Sequence, residues 1–384
     1  MSIDKSKLVT RLGKSGLKVN TIAIGTMRLG SSWMGFNGDI DECLKILKFC
    51  YDNGFRTFDT ADAYSNGKSE ELLGLFIKKY DIPRERIVIL TKCYFPVKDT
   101  TEEGMGEVDE VDFMNGKGLS RKHILAAAEA SVKRLGTYID VLQIHRLDRD
   151  VTYEEIMHSS RKHILAAAEA SVKRLGTYID VLQIHRLDHE VTYEEVMRSL
   201  NDVVEQGLAR YIGASSMKTW EFVELQNVAK ANGWHQFISM QSHYSLLYRE
   251  DERELNDYCK KNGIGLIPWS PNGGGVLCRP FDSEKTKQFL DNKQWSSLFG
   301  LENVRDADKI IVDRVEELSV KYNASMMQVS LAWCIAKGVI PIAGVSKFEQ
   351  AEELVGIFKV NLTEDDIKYL DEPYHAKDLA PLLD

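Results

Sequence analysis

Apolar residues along the chain keep two rhythms. Short stretches rich in Val, Ile and aromatic residues recur at 19–24, 56–59, 87–92, 138–145, 178–185, 210–215, 237–241, 264–269 and 339–344, and each predicts a strand. Between most of them the period lengthens. Ile40, Leu44, Leu47 and Tyr51 lie on one face of a helix that Asp39 can cap and Gly54 can end. Further helices are predicted at 306–322, 326–337 and 363–370. Residues 97–119 and 272–304 read as long loops.

Residues 120–159 and 160–199 are one segment written twice. Both run SRKHILAAAEASVKRLGTYIDVLQIHRLD, continue with Val-Thr-Tyr-Glu-Glu, and differ only at Arg149/His189, Asp150/Glu190, Ile156/Val196 and His158/Arg198. Each copy carries a helix, a strand and the start of the next helix. Two copies are too few for a solenoid, which needs about three stacked units. With the repeated strand counted once, eight strands alternate with helices, the pattern of a parallel sheet closed into a (β/α)8 TIM barrel of the α/β class. No Pro- or Ser-rich linker divides the chain, so residues 1–384 are expected to form a single barrel domain. A ninth strand would change the relation between strand number, tilt and register in a closed barrel. One duplicated helix-strand cassette, 120–159 or 160–199, is therefore expected to be extruded.

Charge and composition narrow the function classes. Among 384 residues, 49 Lys and Arg face 58 Asp and Glu, a formal net charge of −9. That acidity argues against a nucleic-acid partner. With 43% hydrophobic and 28% charged residues, the chain has the composition of a globular protein. No apolar run approaches the roughly 18 residues of a membrane span, and the first residues lack the apolar core of a secretory signal. The six cysteines form no CxxC pair and read as reduced thiols. The expectation is a cytoplasmic protein, with neither membrane nor nucleic-acid partner, and no ligand spacing for a metal.

Active residues of such barrels sit at the C-terminal ends of strands. Those ends carry Asp59, Lys92, His145 or its copy His185, Ser215, Gln241 and Trp269, and Tyr64 follows Asp59 in the adjacent loop. Acidic, basic, phenolic and imidazole groups can thus converge on one mouth.

The segments GFRTFDTADAYSNGKSEELLG (54–74), ILTK (89–92), IDVLQIHRLD in either copy, YIGASS (211–216), ISMQSHYSLL (238–247), GLIPWSP (265–271) and IPIAGVSKFEQAEE (340–353) resemble, in this order, the aldo-keto reductase superfamily. The wording of RYIGASSM, YREDEREL and YLDEPY is most similar to the fungal branch with versiconal hemiacetal acetate reductase-like and aryl-alcohol dehydrogenase-like members.

The resemblance implies an NADPH-dependent oxidoreductase that reduces aldehyde or ketone carbonyls to alcohols. Tyr64 resembles the acid that protonates the carbonyl oxygen, Lys92 the cation beside it, and Asp59 the group that orients and balances Lys92. A free Tyr has a pKa near 10, and a neighbouring cation favours its phenolate. The imidazole of the IHRLD motif would place the carbonyl. His185 is favoured over His145 because its copy keeps the junction to Leu200-Asn201-Asp202-Val203-Val204.

For the cofactor, the resemblance implies that Ser215 and Gln241 hold the carboxamide and that Trp269 stacks on the nicotinamide. Ser346, Lys347, Gln350 and Glu353 would hold the adenosine 2′-phosphate and adenine at a helix start, a natural anion site. Lys347 favours NADP over NAD. Thr26, Met27, Ser216, Ser270, Pro271 and Asn272 complete the implied set. No G-x-G-x-x-G follows a strand, so no Rossmann domain is expected. Asn272-Gly273-Gly274-Gly275-Val276 replaces a Leu-Ala-Arg-Gly run of many relatives, and Leu354 stands where an Asn often meets adenine.

The implied partner is a small-molecule carbonyl substrate, and the implied state a monomer or weak homo-oligomer. Trp33, Tyr94 and Trp295 suggest an apolar or aryl substrate. The alternative is a cofactor-binding regulatory or scaffold protein with little turnover.

Overall fold

Parallel strands set the plan. The computed structural model describes residues 5–31, 37–100, 108–118, 120–145, 179–184, 187 and 191–379. A hairpin of β1 (Val9–Arg11) and β2 (Lys18–Asn20) comes first. The sheet strands are β3 (Ala23–Gly25), β4 (Thr57–Asp59), β5 (Val88–Cys93), β6 (Val141–Ile144), β7 (Ile179–Gln183), β8 (Ala209–Ser215), β9 (Phe237–Gln241), β10 (Gly265–Leu266) and β11 (Ile342–Gly344). Among the described residues they form one nine-stranded sheet in the order β10-β9-β8-β7-β6-β5-β4-β3-β11, with every neighbouring pair parallel. The two end strands also meet. Ile340 N–H donates to the Leu266 carbonyl at 2.8 Å and Ile342 N–H to the Pro268 carbonyl at 2.9 Å, so the sheet closes. The expected α/β barrel-like fold is what forms.

The expected extrusion of one cassette is corrected by this pairing. The strands of both copies lie in the sheet as neighbours, with Val141 opposite Val181, Leu142 opposite Leu182 and Gln143 opposite Gln183. The reason is the period of two along a strand. Each copy brings the same alternation, so Val141 and Val181 both face the barrel interior while Leu142 and Leu182 both face the outer layer. Leaving one strand out would expose its apolar residues and an unpaired edge. The insertion of a like strand beside its copy buries both.

Two further readings change. The predicted strand at 19–24 divides between the hairpin, β2, and the barrel, β3. The apparent loop at 272–304 contains a 3-10 segment, Gly273–Cys278, and two short helices, Glu284–Asp291 and Lys293–Leu298. Ser283 and Asn292 cap these helices by accepting from Thr286 N–H and Trp295 N–H. His185, Tyr178 and Trp33 lie outside the described residues.

The interior is an apolar layer of Ala23, Leu90, Val141, Val181, Ile267, Ile340 and Ile342, plugged by Leu12 and Val19 of the hairpin. The hairpin enters where the strands begin. A Cβ on Gly13 would lie 2.4 Å from the Ile238 carbonyl oxygen, and its φ is +59°, so only glycine fits there. Above this layer the interior turns polar. Lys92, Gln143, Gln183, Gly213 and Ser239 are opposite one another on successive strands. The amide nitrogen of Gln143, the amide oxygen of Gln183 and the Ser239 hydroxyl are buried with no hydrogen-bond partner among the described residues.

Helices cover the outside. The helix Ile40–Asp52 starts as read, with Asp39 accepting from Glu42 N–H at 2.9 Å, and ends at Asn53 just before Gly54. The first copy's helix, Arg121–Leu135, packs on Lys68–Lys79; Gly74 approaches it so closely that a Cβ would lie 2.6 Å from the Arg134 carbonyl oxygen. Arg134 also pairs with the fully buried Glu70 at 2.7 Å. Downstream of β7, Thr192 caps the helix Tyr193–Glu205, which leads into β8. The first copy thus keeps its upstream packing and the second its downstream junction. All six cysteines are free. Among the described residues no helix is long and apolar enough to cross a membrane.

Candidate active site

Three of the four groups read at the strand ends meet around one atom. Lys92, near the end of β5, donates from Nζ to both carboxylate oxygens of Asp59 at 2.8 Å each, to the Thr60 carbonyl at 2.8 Å and to the Tyr64 hydroxyl oxygen at 3.1 Å. Parallel pairing of β4 and β5 brings Asp59 beside Lys92. Tyr64 reaches back from the turn that follows β4; its N–H donates to Ala61 and its carbonyl accepts from Ser69 N–H. Asp59, Lys92 and Tyr64 are all buried.

Burial and charge oppose one another here. Desolvation works against the Lys92 ammonium, but Asp59 and Tyr64 outweigh it and its pKa lies above the ordinary value. Desolvation raises the Tyr64 phenol, and Asp59 adds to that, against the pull of Lys92. The expected drift toward phenolate is therefore reversed: Tyr64 keeps its proton near neutral pH. Desolvation also lifts Asp59, with Lys92 acting in the other direction. The two close bonds from the ammonium mark Asp59 as its counter-ion. The trio can hold a proton on a buried phenol whose anion, once formed, would lie 3.1 Å from a cation.

The imidazole beside this trio is His145. It follows β6, and its N–H donates to the Cys93 carbonyl at 2.9 Å. Its ring stands edge-on to Tyr64, with centroids 5.8 Å apart, and to Phe95 at 5.1 Å. His185, which the sequence reading favoured, lies outside the described residues. The structure therefore describes the first copy's imidazole at the phenol.

Ser215 and Gln241 are opposite each other on β8 and β9, and both are buried. The Gln241 amide nitrogen has no partner among the described residues, and the Ser215 and Ser216 hydroxyls lie 3.3 Å apart. An unpaired buried donor beside a hydroxyl matches the needs of a carboxamide. Trp269, half-buried, follows β10. Ser270 at φ +54° and Gly273, Gly274 and Gly275 at φ +55°, +66° and +94° turn the chain repeatedly on either side of Pro271. The Asn272 side-chain oxygen and the Arg279 Nε there are also buried with no hydrogen-bond partner among the described residues.

The second cluster begins the helix Phe348–Gly356. The Gln350 side-chain oxygen accepts from Ser346 N–H at 2.8 Å, Ser346 Oγ at 3.1 Å and Lys347 N–H at 3.1 Å. Lys347 itself is exposed. The Glu353 carboxylate accepts from Ser325 Oγ at 2.7 Å. Thr26 donates to the Asp59 carbonyl at 3.0 Å and lies 2.7 Å from Ser69 Oγ, and half-buried Met27 follows it. Leu354 is wholly buried in the core and offers no contact to a ligand.

Two neighbours, Phe95 and Asp62, escaped the sequence reading, and a third, His243, reads from the sequence as a loop residue and not a ligand. Phe95 lies three residues past Lys92 and walls the imidazole. Asp62 is buried with no hydrogen-bond partner for either carboxylate oxygen among the described residues, and burial, with Glu70 adding to it, holds its pKa well above the ordinary value. His243 lies between two aromatic rings. The period of two from Gln241 could have placed His243 on the inner face; nothing in the sequence marks Asp62.

The sequence model described as "Aldo/keto reductase family" matches residues 21–159 and 158–375, two stretches that meet at the boundary between the copies. The chain is 46% identical over 377 residues to a versiconal hemiacetal acetate reductase of Aspergillus parasiticus, covering 97% of this chain and 98% of that protein. It is 46% identical over 387 residues to a provisionally assigned aryl-alcohol dehydrogenase of Schizosaccharomyces pombe, covering 97% of each. The crystal structure of a thermostable aldo-keto reductase in complex with the inhibitor epalrestat superposes with a TM-score of 0.59 at 25% identity, over 96% of this chain and 100% of that one.

Proposed function

The chain belongs to the aldo/keto reductase family, and on that premise we propose that it is an NADPH-dependent reductase of aldehyde or ketone carbonyls. The observation that carries this reading is the Lys92 ammonium bonded at once to Asp59 and to the Tyr64 hydroxyl. The bound nicotinamide would supply the hydride. Tyr64 Oη would give its proton to the carbonyl oxygen as the alkoxide forms. Lys92 would stabilise the phenolate left behind, and Asp59 would keep Lys92 charged and in place. His145 would hold the carbonyl oxygen at the phenol. Ser215 and Gln241 would hold the carboxamide, and Trp269 the ring plane. Ser216, Ser270, Pro271, Asn272, Thr26 and Met27 would line the rest of the dinucleotide.

Lys347 carries the preference for NADPH. Its exposed ammonium stands at the start of a nine-residue helix, where a 2′-phosphate would gain from both charge and amide dipoles. Gln350 caps the same amides and would yield them or share them, with Ser346 and Glu353 alongside. The substrate is a small carbonyl compound, and residues 1–384 act as one barrel domain in a cytoplasmic monomer or weak homo-oligomer. No feature of the site favours the scaffold alternative. The test is NADPH oxidation by purified protein across aryl aldehydes, aliphatic aldehydes and ketones. Tight NADPH binding with no turnover on any of them would refute the reading.

A further inference from the structure

His243 follows β9 by two residues and is bridged to Trp269 as a parallel pair, with Trp269 N–H donating to the Ser242 carbonyl at 3.0 Å. Its ring is layered between two others. Tyr248 lies 4.5 Å away at 12° and Trp269 4.4 Å away at 15°. Phe299, from the long segment after Pro271, meets both His243 and Trp269 edge-on, at 5.9 Å and 6.2 Å. His243 and Tyr248 are 3% and 1% exposed, while Trp269 stays half-buried at the mouth.

Both ring nitrogens of His243 lack a partner among the described residues. Burial, with the Lys377 charge nearby, pushes its pKa down to about 3, so the ring is uncharged near neutral pH. A buried donor without a partner costs free energy that an apolar side chain would not. What this ring does at that cost is present a flat face to a flat face.

We infer that His243 is a positioning residue: with Tyr248 behind it, its ring fixes the tilt of Trp269 and so the plane that the site offers to a nicotinamide ring. The inference rests on the cofactor reading proposed for Trp269. An aliphatic side chain of similar volume would fill the space but leave the indole free to rock about its side-chain torsions. A phenyl ring would preserve the stack.

The test compares His243→Leu and His243→Phe with the parent, each checked for a cooperative thermal transition. Two readouts separate the inference from the reading beneath it. Near-ultraviolet circular dichroism of the cofactor-free protein, read as a difference against Trp269→Phe because the chain has six tryptophans, reports the fixed surroundings of that indole. Equilibrium titration followed by NADPH fluorescence reports binding without turnover. The expected result is loss of the Trp269 share of the indole dichroism and about two- to tenfold weaker NADPH binding in the Leu variant, the range that one aromatic pair accounts for, with the Phe variant close to the parent in both. Unchanged dichroism in the Leu variant overturns the positioning role whatever the cofactor does. Equal losses in Leu and Phe overturn it too, because the nitrogens and not the flat face would then matter. Altered dichroism with unaltered binding overturns the link from Trp269 to the nicotinamide. Parent protein that binds no NADPH overturns that link together with the cofactor reading.

Discussion

Asp140 and Asp180, the same residue of the two copies, stand side by side on adjacent strands, each close enough to bear on the other's charge. The Val181 N–H donates to the Asp140 carbonyl at 2.9 Å, which fixes that register. Asp140 is also paired with Arg84 and accepts from Ile89 N–H at 2.7 Å, and Arg210 lies 3.7 Å from Asp180. A chain with one cassette would place a single carboxylate between these two cations. The duplication puts two there.

This pair predicts an acid-side gain in stability. Burial pushes Asp140 up from 3.8 to about 6, against Arg84 and with Asp180 adding to the rise. The folded state therefore holds a proton that the unfolded state has released. Stability should fall as pH rises through this window, from about 4 to about 6, by on the order of 2 kcal/mol. Asp180→Asn removes one charge of the pair. Its melting temperature should exceed that of the parent by a few degrees at pH 7.5 and match it near pH 4.5. A parallel shift at both pH values would count against the proton held on Asp140.

Tyr64→Phe should lower kcat by about a hundredfold or more, the usual scale of general acid catalysis, with NADPH binding nearly unchanged. The phenolic proton matters only as the alkoxide forms, so a variant with parental kcat would remove Tyr64 from the mechanism.

His145→Ala and His185→Ala should part company. The ring edge-on to Tyr64 is His145, so His145→Ala should depress kcat/KM by about tenfold or more, a loss of roughly 1.4 kcal/mol of transition-state stabilisation. His185→Ala should leave most activity. Steady-state kinetics of the two variants decides, and the reverse ranking would place the working imidazole in the second copy.

Lys347→Ala should weaken NADPH binding and leave NADH binding little changed. One lost charge-assisted contact is worth about 1.5–3 kcal/mol, or roughly ten- to a hundredfold in Kd. Equal effects on both cofactors in a titration would show that Lys347 does not meet the 2′-phosphate.

Deletion of residues 160–199 joins the first copy to Leu200 and leaves one of each paired element. The deletion protein should fold, retain NADPH-dependent reduction and unfold at a higher temperature. It loses the Asp140–Asp180 pairing and the crowding of the Gln143 and Gln183 amides, which carry atoms without a partner among the described residues, each unpaired group costing about 1–3 kcal/mol. Insoluble protein, or a lower melting temperature by calorimetry, would mean that the ninth strand has become structurally required.

The sequence by itself determined the class of fold and named most of the residues that cluster in the candidate site. Alternating short strands and amphipathic helices are local patterns, and the strand ends carried Asp59, Lys92, Ser215, Gln241 and Trp269 in order. Caps such as Asp39 and Thr363 were written in side-chain chemistry over three or four residues. Only the tertiary structure decided the rest. Whether the repeated strand stays in the barrel depends on closure, a property of all strands together, and closure comes through Ile340 and Ile342 bonding to Leu266 and Pro268. The choice between two identical IHRLD motifs cannot reside in identical words; it is made by which copy lies next to β5. The tilt of Trp269 follows from rings at His243, Tyr248 and Phe299, brought together by packing over more than fifty residues of chain. The protonation of Tyr64 is likewise a tertiary fact, since burial, and not the neighbouring Lys92, dominates its pKa.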